Sequence, residues 1–265
     1  MAVVLTAPGV YIDELGSGVR TITGVATSVT AFVGRCRRGT VASDAAPILV
    51  SSWPEFVRRC GDVWPDSELP TAVQQYFQAG GASALIVRVV HTGGAVPADD
   101  AASASFDLGG GTLLTARSAG AWANTLLATV SHGGALDTAG PQEFHLTISL
   151  LDPDDGSVSV LEEHRWVSVD PTSARFVTRV LQTRSRAVVA SSVGAARPLE
   201  VANAIPAVGR DGDPPTDTEV EDALARLRLA DIVNLLCIPP YTDPEVGPNL
   251  SVYTAALSLC EELRA

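Results

Sequence analysis

Apolar and polar residues recur with different spacings along the chain. In the first block, residues 25–90, some stretches have the spacing typical of a helix and others that typical of a strand. The pattern predicts four elements there: a buried strand over 25–35, helices over 51–61 and 68–79, and a strand over 83–90. The first helix carries boundary signals, because Pro54 suits its first turn and Gly61 can end it. Strand, helices and strand together form a βαβ-like unit, which favours an α/β layer.

Strand periodicity dominates the middle of the chain. Gly, Pro and Asp clusters separate four predicted strands, over 113–116, 126–131, 144–151 and 158–169. The alternation of Leu146, Ile148 and Leu150 is typical of a half-buried strand, and the polar run 152–156 predicts a hairpin turn. Two further elements follow: a helix over 173–183 and a strand over 187–190.

The last block returns to an α/β pattern. It predicts a helix over 217–229, a strand over 232–238 and a helix over 250–263. The strand is apolar on both faces, which predicts a central place in a sheet that is covered on both sides.

Two segments, 92–111 and 194–215, show neither the helical nor the strand spacing of apolar residues. They are predicted to be loops or linkers. The first ends in three glycines, Gly109, Gly110 and Gly111. A glycine run cradles phosphate where a helix N-terminus follows it, whereas a predicted strand follows here. We therefore interpret the run as a flexible hinge or linker.

The first 24 residues have the pattern of an arm. Two short β-prone runs flank the turn signal Pro8-Gly9, and further glycines follow closely. Such a stretch cannot bury much surface alone, so it must lie on its own body or on a neighbour. The residues that we expect to make this contact are Val3, Val4, Leu5, Pro8, Gly9, Val10, Tyr11 and Ile12.

Composition excludes several kinds of chemistry. All 18 basic residues are arginines, and without lysine the chain cannot form a Walker-type phosphate loop, a Schiff base or a kinase active site. The formal net charge of -12 argues against binding to nucleic acid or to an anionic membrane. No apolar run approaches the roughly 18 residues that a membrane-spanning helix needs.

Cysteine and histidine spacings indicate neither disulfides nor a metal site. The cysteines form no CxxC pair and lie in or beside apolar runs, which favours buried thiols in a reducing compartment. The four histidines match no zinc-binding pattern. We therefore predict no catalytic residue, no metal and no cofactor, and we expect the chain not to be an enzyme.

Short motifs recur in a fixed order along the chain. The first four are APGVYIDE at 7–14, SGVR at 17–20, ITGVATS at 22–28 and AFVGR at 31–35. The others are SSWPEF at 51–56, the segment 69–89 with its closing VRV, the set Ala116, Gly120, Ala121, Trp122 and Asn124, SVDP at 168–171, and VNLLCIP at 233–239. In this order they resemble the motifs of contractile tail sheath proteins, found in contractile phage tails and phage-tail-like injection systems.

The resemblance implies a structural subunit that forms stacked hexameric rings around an inner tube. Terminal arms of such subunits add strands to the sheets of neighbours, and contraction rearranges rigid domains without a nucleotide. The implied partners are other copies of the chain, the inner tube protein, and baseplate and terminal cap proteins, with no nucleic acid and no direct membrane insertion. The implied location is a phage tail or a phage-tail-like particle that assembles in the cytoplasm.

The resemblance also organises the predicted elements into a fold. We expect a multi-domain α/β (α+β) protein with an inner α/β domain, an inserted β-rich outer domain and an extended N-terminal arm. The predicted bounds are 1–24 for the arm, 25–95 and 201–265 for the two parts of the inner domain, and 96–200 for the outer domain.

Two departures from the family pattern leave alternatives open. Ala123 stands where the family usually has Gly, and sheath proteins of this type are longer, so we expect the chain to be the front part of one. The alternative is a tail-associated adaptor or cap protein built from the front half of a sheath fold. A third hypothesis is an enzyme on an α/β scaffold, which a pocket gathering His145, His164 and acidic side chains would favour.

Overall fold

The computed structural model describes residues 29–41, 45–133, 140–241 and 250–264 of the chain. The predicted arm over 1–24, with its β-prone runs, lies outside the described residues. The described strands are β1 Thr30–Gly34, β2 Ile48–Val50, β3 Ala84–Arg88, β4 Ser105–Asp107, β5 Leu113–Ala116, β6 Leu126–Ser131, β7 Glu143–Leu151, β8 Val158–Ser168, β9 Val188–Ser192, β10 Val201–Ala204 and β11 Leu235–Cys237. The α-helices are α1 Trp53–Cys60, α2 Leu69–Gln78, α3 Val177–Arg184, α4 Asp217–Ala225 and α5 Leu250–Leu263.

The first sheet has the strand order β11-β1-β3-β2. β1 pairs in parallel with both β3 and β11, and β2 pairs antiparallel with β3. All five residues of β1 and all five of β3 are buried, as expected for parallel strands covered on both faces. Phe32 contributes to the core under α1 and α2, whereas Ala31 and Val33 contribute to the core under α4 and α5. This alternation places one hydrophobic core on each face of the sheet.

The β-rich part of the chain contains two antiparallel sheets, with the orders β10-β6-β7-β8 and β4-β5-β9. A third core, drawn from residues 104–204, is shared by both sheets and by α3. Its largest fully buried side chains include Phe106, Phe144 and Leu181. The predicted hairpin turn is present, because the backbone N–H of Asp152 donates to the carbonyl of Ser157 at 2.8 Å. The mixed α/β (α+β), multi-domain class predicted from the sequence is therefore confirmed.

The strand predicted over 232–238 differs from the observed strand β11. Only Leu235–Cys237 pair with β1, and β11 lies at an edge of the sheet among the described residues, with Leu235 56% exposed. The prediction of a central strand over 232–238 is therefore wrong for the described part of the chain. The side chain of Asn234 accepts a hydrogen bond from the backbone of Val29 at 3.0 Å, so regular strand pairing begins only after it.

Two short strands lie in segments that the sequence pattern predicts to be loops. β4 falls within 92–111 and β10 within 194–215. Each has three or four residues, which is too few for a clear alternating pattern, and each pairs at the edge of a sheet. Their pairing therefore depends on neighbouring strands and not on a local signal.

The three predicted hinge glycines lie in the turn between β4 and β5. Gly109, Gly110 and Gly111 all have positive φ, with values of 76°, 62° and 82°. A side chain on Gly110 would approach the carbonyl oxygen of Ala196 to 2.7 Å. The run therefore forms a close-packed hairpin turn inside the β-rich part, and its action as a hinge stays a prediction.

A buried arginine joins the first sheet to its surroundings. Arg88, at the end of β3, is 2% exposed, and its guanidinium donates to four backbone carbonyls. The acceptors are Cys36 at 2.7 Å, Gly39 at 3.1 Å, Arg37 at 3.1 Å and Ala119 at 2.8 Å. Burial lowers the pKa of Arg88, while the nearby Cys36 and Asp211 oppose that shift. The loop 36–39 is thus tied to the loop that follows β5.

The first turn of α4 is fixed by a capping box. The Thr216 side chain accepts from the backbone of Glu219, and the Glu219 carboxylate accepts from the backbone of Thr216. The same carboxylate accepts from the backbone of Thr92 at 2.6 Å and lies 3.1 Å from Nδ1 of His91. One side chain therefore holds the start of α4 against the loop that follows β3.

We expect Arg88→Met to lower the free energy of unfolding by about 3 kcal/mol, because four buried carbonyls lose their donor. Arg88→Lys should recover only part of this loss, because an ammonium group cannot span four carbonyls. Urea denaturation measures both values. The control is Arg58→Met, since the Arg58 side chain is 60% exposed, and it should stay within about 0.5 kcal/mol of wild type. Equal losses at positions 58 and 88 would contradict the role given to Arg88.

We expect the contact between His91 and Glu219 to make stability depend on pH. The hydrogen bond to Glu219 raises the pKa of His91, with burial opposing and the Glu219 charge adding to the shift. Since the folded-state pKa is the higher one, the stabilisation is complete below about pH 6.5 and is lost as the pH rises through the folded-state pKa. Urea denaturation of wild type and His91→Gln between about pH 5 and pH 8.5 tests this. The two curves should converge at the alkaline end, and a constant difference would refute the expectation.

Candidate functional site

A junction of three loops joins the first sheet to the β-rich part of the chain. We define the junction as residues 35–40, 117–125 and 207–213. The middle loop leads from β5 to β6 and contains a short 3-10 helix, Ala121–Thr125. It carries Gly120, Ala121, Trp122 and Asn124 of the motif that begins at Ala116. The structure therefore places this motif where the two parts of the protein meet.

Close backbone approach determines the shape of the junction. Gly120 has a φ of 136°, and a side chain there would approach the carbonyl oxygen of Arg37 to 2.7 Å. A side chain on Gly209 would approach the carbonyl oxygen of Gly120 to 2.5 Å. Both positions therefore require glycine, because any other residue would push the three loops apart.

Side chains complete the pairing between the second and third loops of the junction. Asn124 donates to the carbonyl of Gly209 at 3.0 Å and accepts from its backbone N–H at 2.7 Å. Asp211 accepts from the backbone N–H of Ala121 at 3.0 Å, at the start of the 3-10 helix. Such reciprocal bonds satisfy backbone groups that no strand partner reaches.

Arginines fill the remaining space around the first loop. The Arg35 guanidinium donates to the carbonyl of Gly212 at 2.7 Å and lies 4.8 Å from the ring of Trp64. The Arg38 guanidinium lies 5.7 Å from the ring of Trp122. Burial lowers the pKa of Arg35, and Asp66 and Asp211 are the main groups that oppose the shift. The aromatic rings and the carbonyls stabilise positive charge at the junction.

A second buried arginine extends this network towards α4. Arg226 is 4% exposed, and its guanidinium donates to the carbonyls of Arg88 at 3.1 Å and Ala45 at 3.1 Å. The carbonyl of Thr40 accepts from it at 3.4 Å. Arg88 and Arg226 therefore both hold the loop after β1 through hydrogen bonds to its carbonyls.

The sequence pattern indicates only part of the junction. The motif around Gly120 is recognisable in the sequence, whereas 207–213 is predicted as a loop without structure and the buried arginines carry no distinguishing pattern. The closely spaced glycines Gly209 and Gly212 are the available signal, because glycines in a polar loop often mark close backbone contact.

Two thiols and one histidine of the described residues pack in the interior. Cys36 and Cys60 are both buried, and the Cys36 thiol donates to the carbonyl of Arg38 at 3.2 Å. The neighbouring Cys36 thiol and burial raise the pKa of the Cys60 thiol, which keeps it protonated. His145 packs edge to face on Trp166 at a ring distance of 4.8 Å. These three side chains therefore contribute to the packing of the interior.

One shallow cavity of about 450 Å³ does contain a histidine and acids. Its lining is Glu162, Glu163, His164, Arg165, Arg175 and Arg184. His164 contacts Glu162 at 3.2 Å, whereas His145 is not part of the lining. This cavity therefore holds only one of the two histidines whose meeting with acidic side chains would favour an enzyme.

A second cavity of about 420 Å³ lies beyond the carboxyl end of β1 and includes Arg35, Asp213 and Tyr241 in its lining. Burial and a 2.5 Å hydrogen bond to Asp217 raise the pKa of Tyr241, so this hydroxyl stays neutral. Within 29–41, 45–133, 140–241 and 250–264, no group of three or more His, Cys, Asp or Glu side chains could hold a metal ion. None of the described helices is both long and apolar enough to cross a membrane.

The two outer strands of the first sheet differ in how their edges are protected. On β2, the Arg59 guanidinium donates to the carbonyl of Leu49 at 2.7 Å. On β11, no strand pairs beyond Leu235–Cys237 among the described residues. An unpaired strand edge presents backbone donors and acceptors to another chain. β11 is therefore the more open edge.

The fold has counterparts among solved structures. The sheath tail protein of Desulfitobacterium hafniense superposes with a TM-score of 0.58 and 16% identity, over 97% of this chain and 50% of that one. The sheath tail protein of Listeria innocua superposes with a TM-score of 0.61 and 12% identity, over 91% of this chain and 46% of that one.

Sequence comparison adds no further relative, because the chain matches no protein-family model and no curated protein. It spans about half the length of the two solved structures it resembles. The superpositions nevertheless include 97% and 91% of this chain. The chain therefore has the fold of sheath tail proteins.

Proposed function

We propose that the chain is a structural subunit of a contractile tail sheath. Such subunits polymerise as stacked rings around an inner tube and contract to drive the tube into a target. The observation that carries the proposal is the superposition of 97% and 91% of the chain on two sheath tail proteins. The ordered motifs along the chain support it independently, because they depend on residue identities and not on the path of the backbone.

The proposed link between subunits is strand addition by the N-terminal arm. The runs 3–5 and 10–12 are β-prone, and the described residues of the first sheet leave β11 open along one side. Strand addition draws affinity from main-chain hydrogen bonds and register from alternate side chains. It lets rings stay linked while they slide, because a flexible connection keeps each strand paired.

We also propose that the first sheet forms the inner domain and that the β-rich part forms an outward-facing insertion. The core residues support this division, since two cores use residues before 91 and after 219 whereas the third uses 104–204. The junction favours movement of the subunit as one body, because buried hydrogen bonds connect the two parts. Contraction would then rearrange contacts between subunits and leave each subunit intact.

The same proposal assigns the chain no catalytic role. The energy for contraction would be stored in contacts of the extended lattice, so no nucleotide and no cofactor are needed. The partners proposed are other copies of the chain, the inner tube protein, and baseplate and terminal cap proteins, in a phage tail or a phage-tail-like particle. An adaptor or cap protein with the same fold is the alternative, and it would bind at one end of a tail without forming a lattice.

We expect the longest polypeptide of this reading frame, produced with its tube protein, to form hollow cylinders or stacked rings, because the proposed function is assembly around a tube. Negative-stain electron microscopy tests this directly. The polypeptide without the tube is the control, since it shows whether assembly needs a template. Uniform small particles in both samples would contradict the sheath proposal and favour the adaptor.

We expect deletion of residues 1–20 to leave a folded protein that no longer assembles, because the strands that link subunits are lost. Sedimentation velocity measures assembly, and circular dichroism with thermal unfolding confirms folding. A matched control replaces 13–18 with an equal length of Gly and Ser, which spares both β-prone runs and should still assemble. Normal assembly after the deletion would refute the role of the arm.

A further inference from the structure

One stretch of this acidic protein carries a clear excess of positive charge. The segment 165–186 contains five arginines and one acidic residue, whereas the whole chain has a formal net charge of -12. We name its arginines the arginine patch: Arg165, Arg175, Arg179, Arg184 and Arg186. A local excess of one sign on a surface of the opposite sign attracts an oppositely charged partner.

The fold brings three of these arginines together on one surface. Arg165 lies near the end of β8, Arg175 in the loop before α3, Arg179 and Arg184 on α3, and Arg186 in the turn that leads into β9. Arg165, Arg175 and Arg184 line the same shallow cavity of about 450 Å³. Arg175 donates to the carbonyls of Trp166 and Arg165, which fixes the loop before α3 against the end of β8. The patch is therefore a preformed surface.

Acidic neighbours neutralise only part of the arginine patch. Glu163 pairs with Arg165 at 2.7 Å. Glu162 instead accepts from the backbone of Arg186 at 2.6 Å and contacts His164. Arg184 and Arg186 are exposed, and neither guanidinium has a hydrogen-bond or ion-pair partner among the described residues. These two side chains are free to meet a partner.

The opposite charge lies at the far end of the same hairpin. The turn between β7 and β8 carries Asp152, Asp154 and Asp155, all exposed, and we name these three the acidic turn. Hydrogen bonds hold its shape, because Asp152 accepts from the backbone of Asp154 at 2.9 Å and Asp155 accepts from that of Ser157 at 2.7 Å. Beside it, Val158 is 48% exposed and Val160 is 66% exposed.

We propose that the arginine patch of one subunit docks the acidic turn of a second copy of this chain. The inference rests on the proposed self-assembly and names a surface for it. The two surfaces lie at different places on one subunit, so the contact is head-to-tail and repeats around a ring or along a helix. The exposed valines beside the turn would be covered at the same time. A second copy fits better than nucleic acid or a membrane, because the rest of the chain is acidic and would repel either one.

A charge exchange tests the proposal. The patch variant is Arg184→Glu with Arg186→Glu, and the turn variant is Asp154→Arg with Asp155→Arg. Because Asp155 also caps the turn, Asp154→Arg alone is measured in parallel. The control is Arg58→Glu with Arg264→Glu, which makes the same change in net charge as the patch variant at two exposed sites outside the patch. Sedimentation velocity of the full-length polypeptide is measured at about 50 mM and about 500 mM salt, and thermal unfolding checks each fold.

We expect each variant alone to associate at least about tenfold more weakly than wild type at low salt, because like charges then face each other. An equal mixture of the patch and turn variants should recover association, since every contact in an alternating assembly again pairs opposite charges. The control should associate like wild type. Wild-type association should also weaken at high salt, where charges are screened.

Other outcomes of the same experiment would overturn the inference. Folded patch and turn variants that associate like wild type, or a mixture that fails to recover, would overturn this inference and leave the proposed sheath function standing. A wild-type protein that never self-associates would overturn both. Loss of association in the control would show that net charge alone matters, which also overturns the inference.

Discussion

The guanidinium of Arg88 is the interaction on which the rest of the structure depends. It is a buried cation without a carboxylate ion pair among the described residues, and four backbone carbonyls satisfy it instead. A charge in the protein interior is tolerated only when hydrogen bonds surround it, so the loops that supply the carbonyls cannot move independently. Three of these loop carbonyls follow β1 and the fourth follows β5. One side chain therefore fixes the β-rich part of the protein on the first sheet.

Two other buried arginines are satisfied in the same way. Arg35 and Arg226 donate to carbonyls distant in sequence, and the partly buried Arg38 lies over an aromatic ring. A guanidinium has five donors in a planar fork, whereas an ammonium is a compact charge on a flexible stem. A chain whose basic residues are all arginine is well suited to joining loops through their carbonyls. The absence of lysine, which excludes several classes of enzyme, thus also agrees with how the junction is built.

A rigid junction is consistent with a protein that works by assembly. The cavities around His164 and Tyr241 are open, and both side chains form internal hydrogen bonds, whereas charged side chains and the edge of β11 that no described strand pairs with lie at the surface. The edge of β11, the arginine patch and the acidic turn are all positioned by the fold to face outward. In a lattice of many copies, weak contacts of this kind add up because each subunit repeats them. This is the physical basis for assigning function to surfaces and not to a pocket.

The sequence by itself determined the elements whose signals are local. Pro54 lies in the first turn of α1 and Gly61 ends that helix, as the sequence predicts, and the alternation of 144–151 with the polar run after it specified the β7–β8 hairpin. Only the tertiary structure decided the rest. Among the described residues β11 lies at an edge of the first sheet because no strand pairs on its other side, and β4 and β10 are strands only because longer strands pair with them. The junction likewise joins residues near 37, 120 and 209, and long-range contacts of this kind leave no periodic pattern in a sequence.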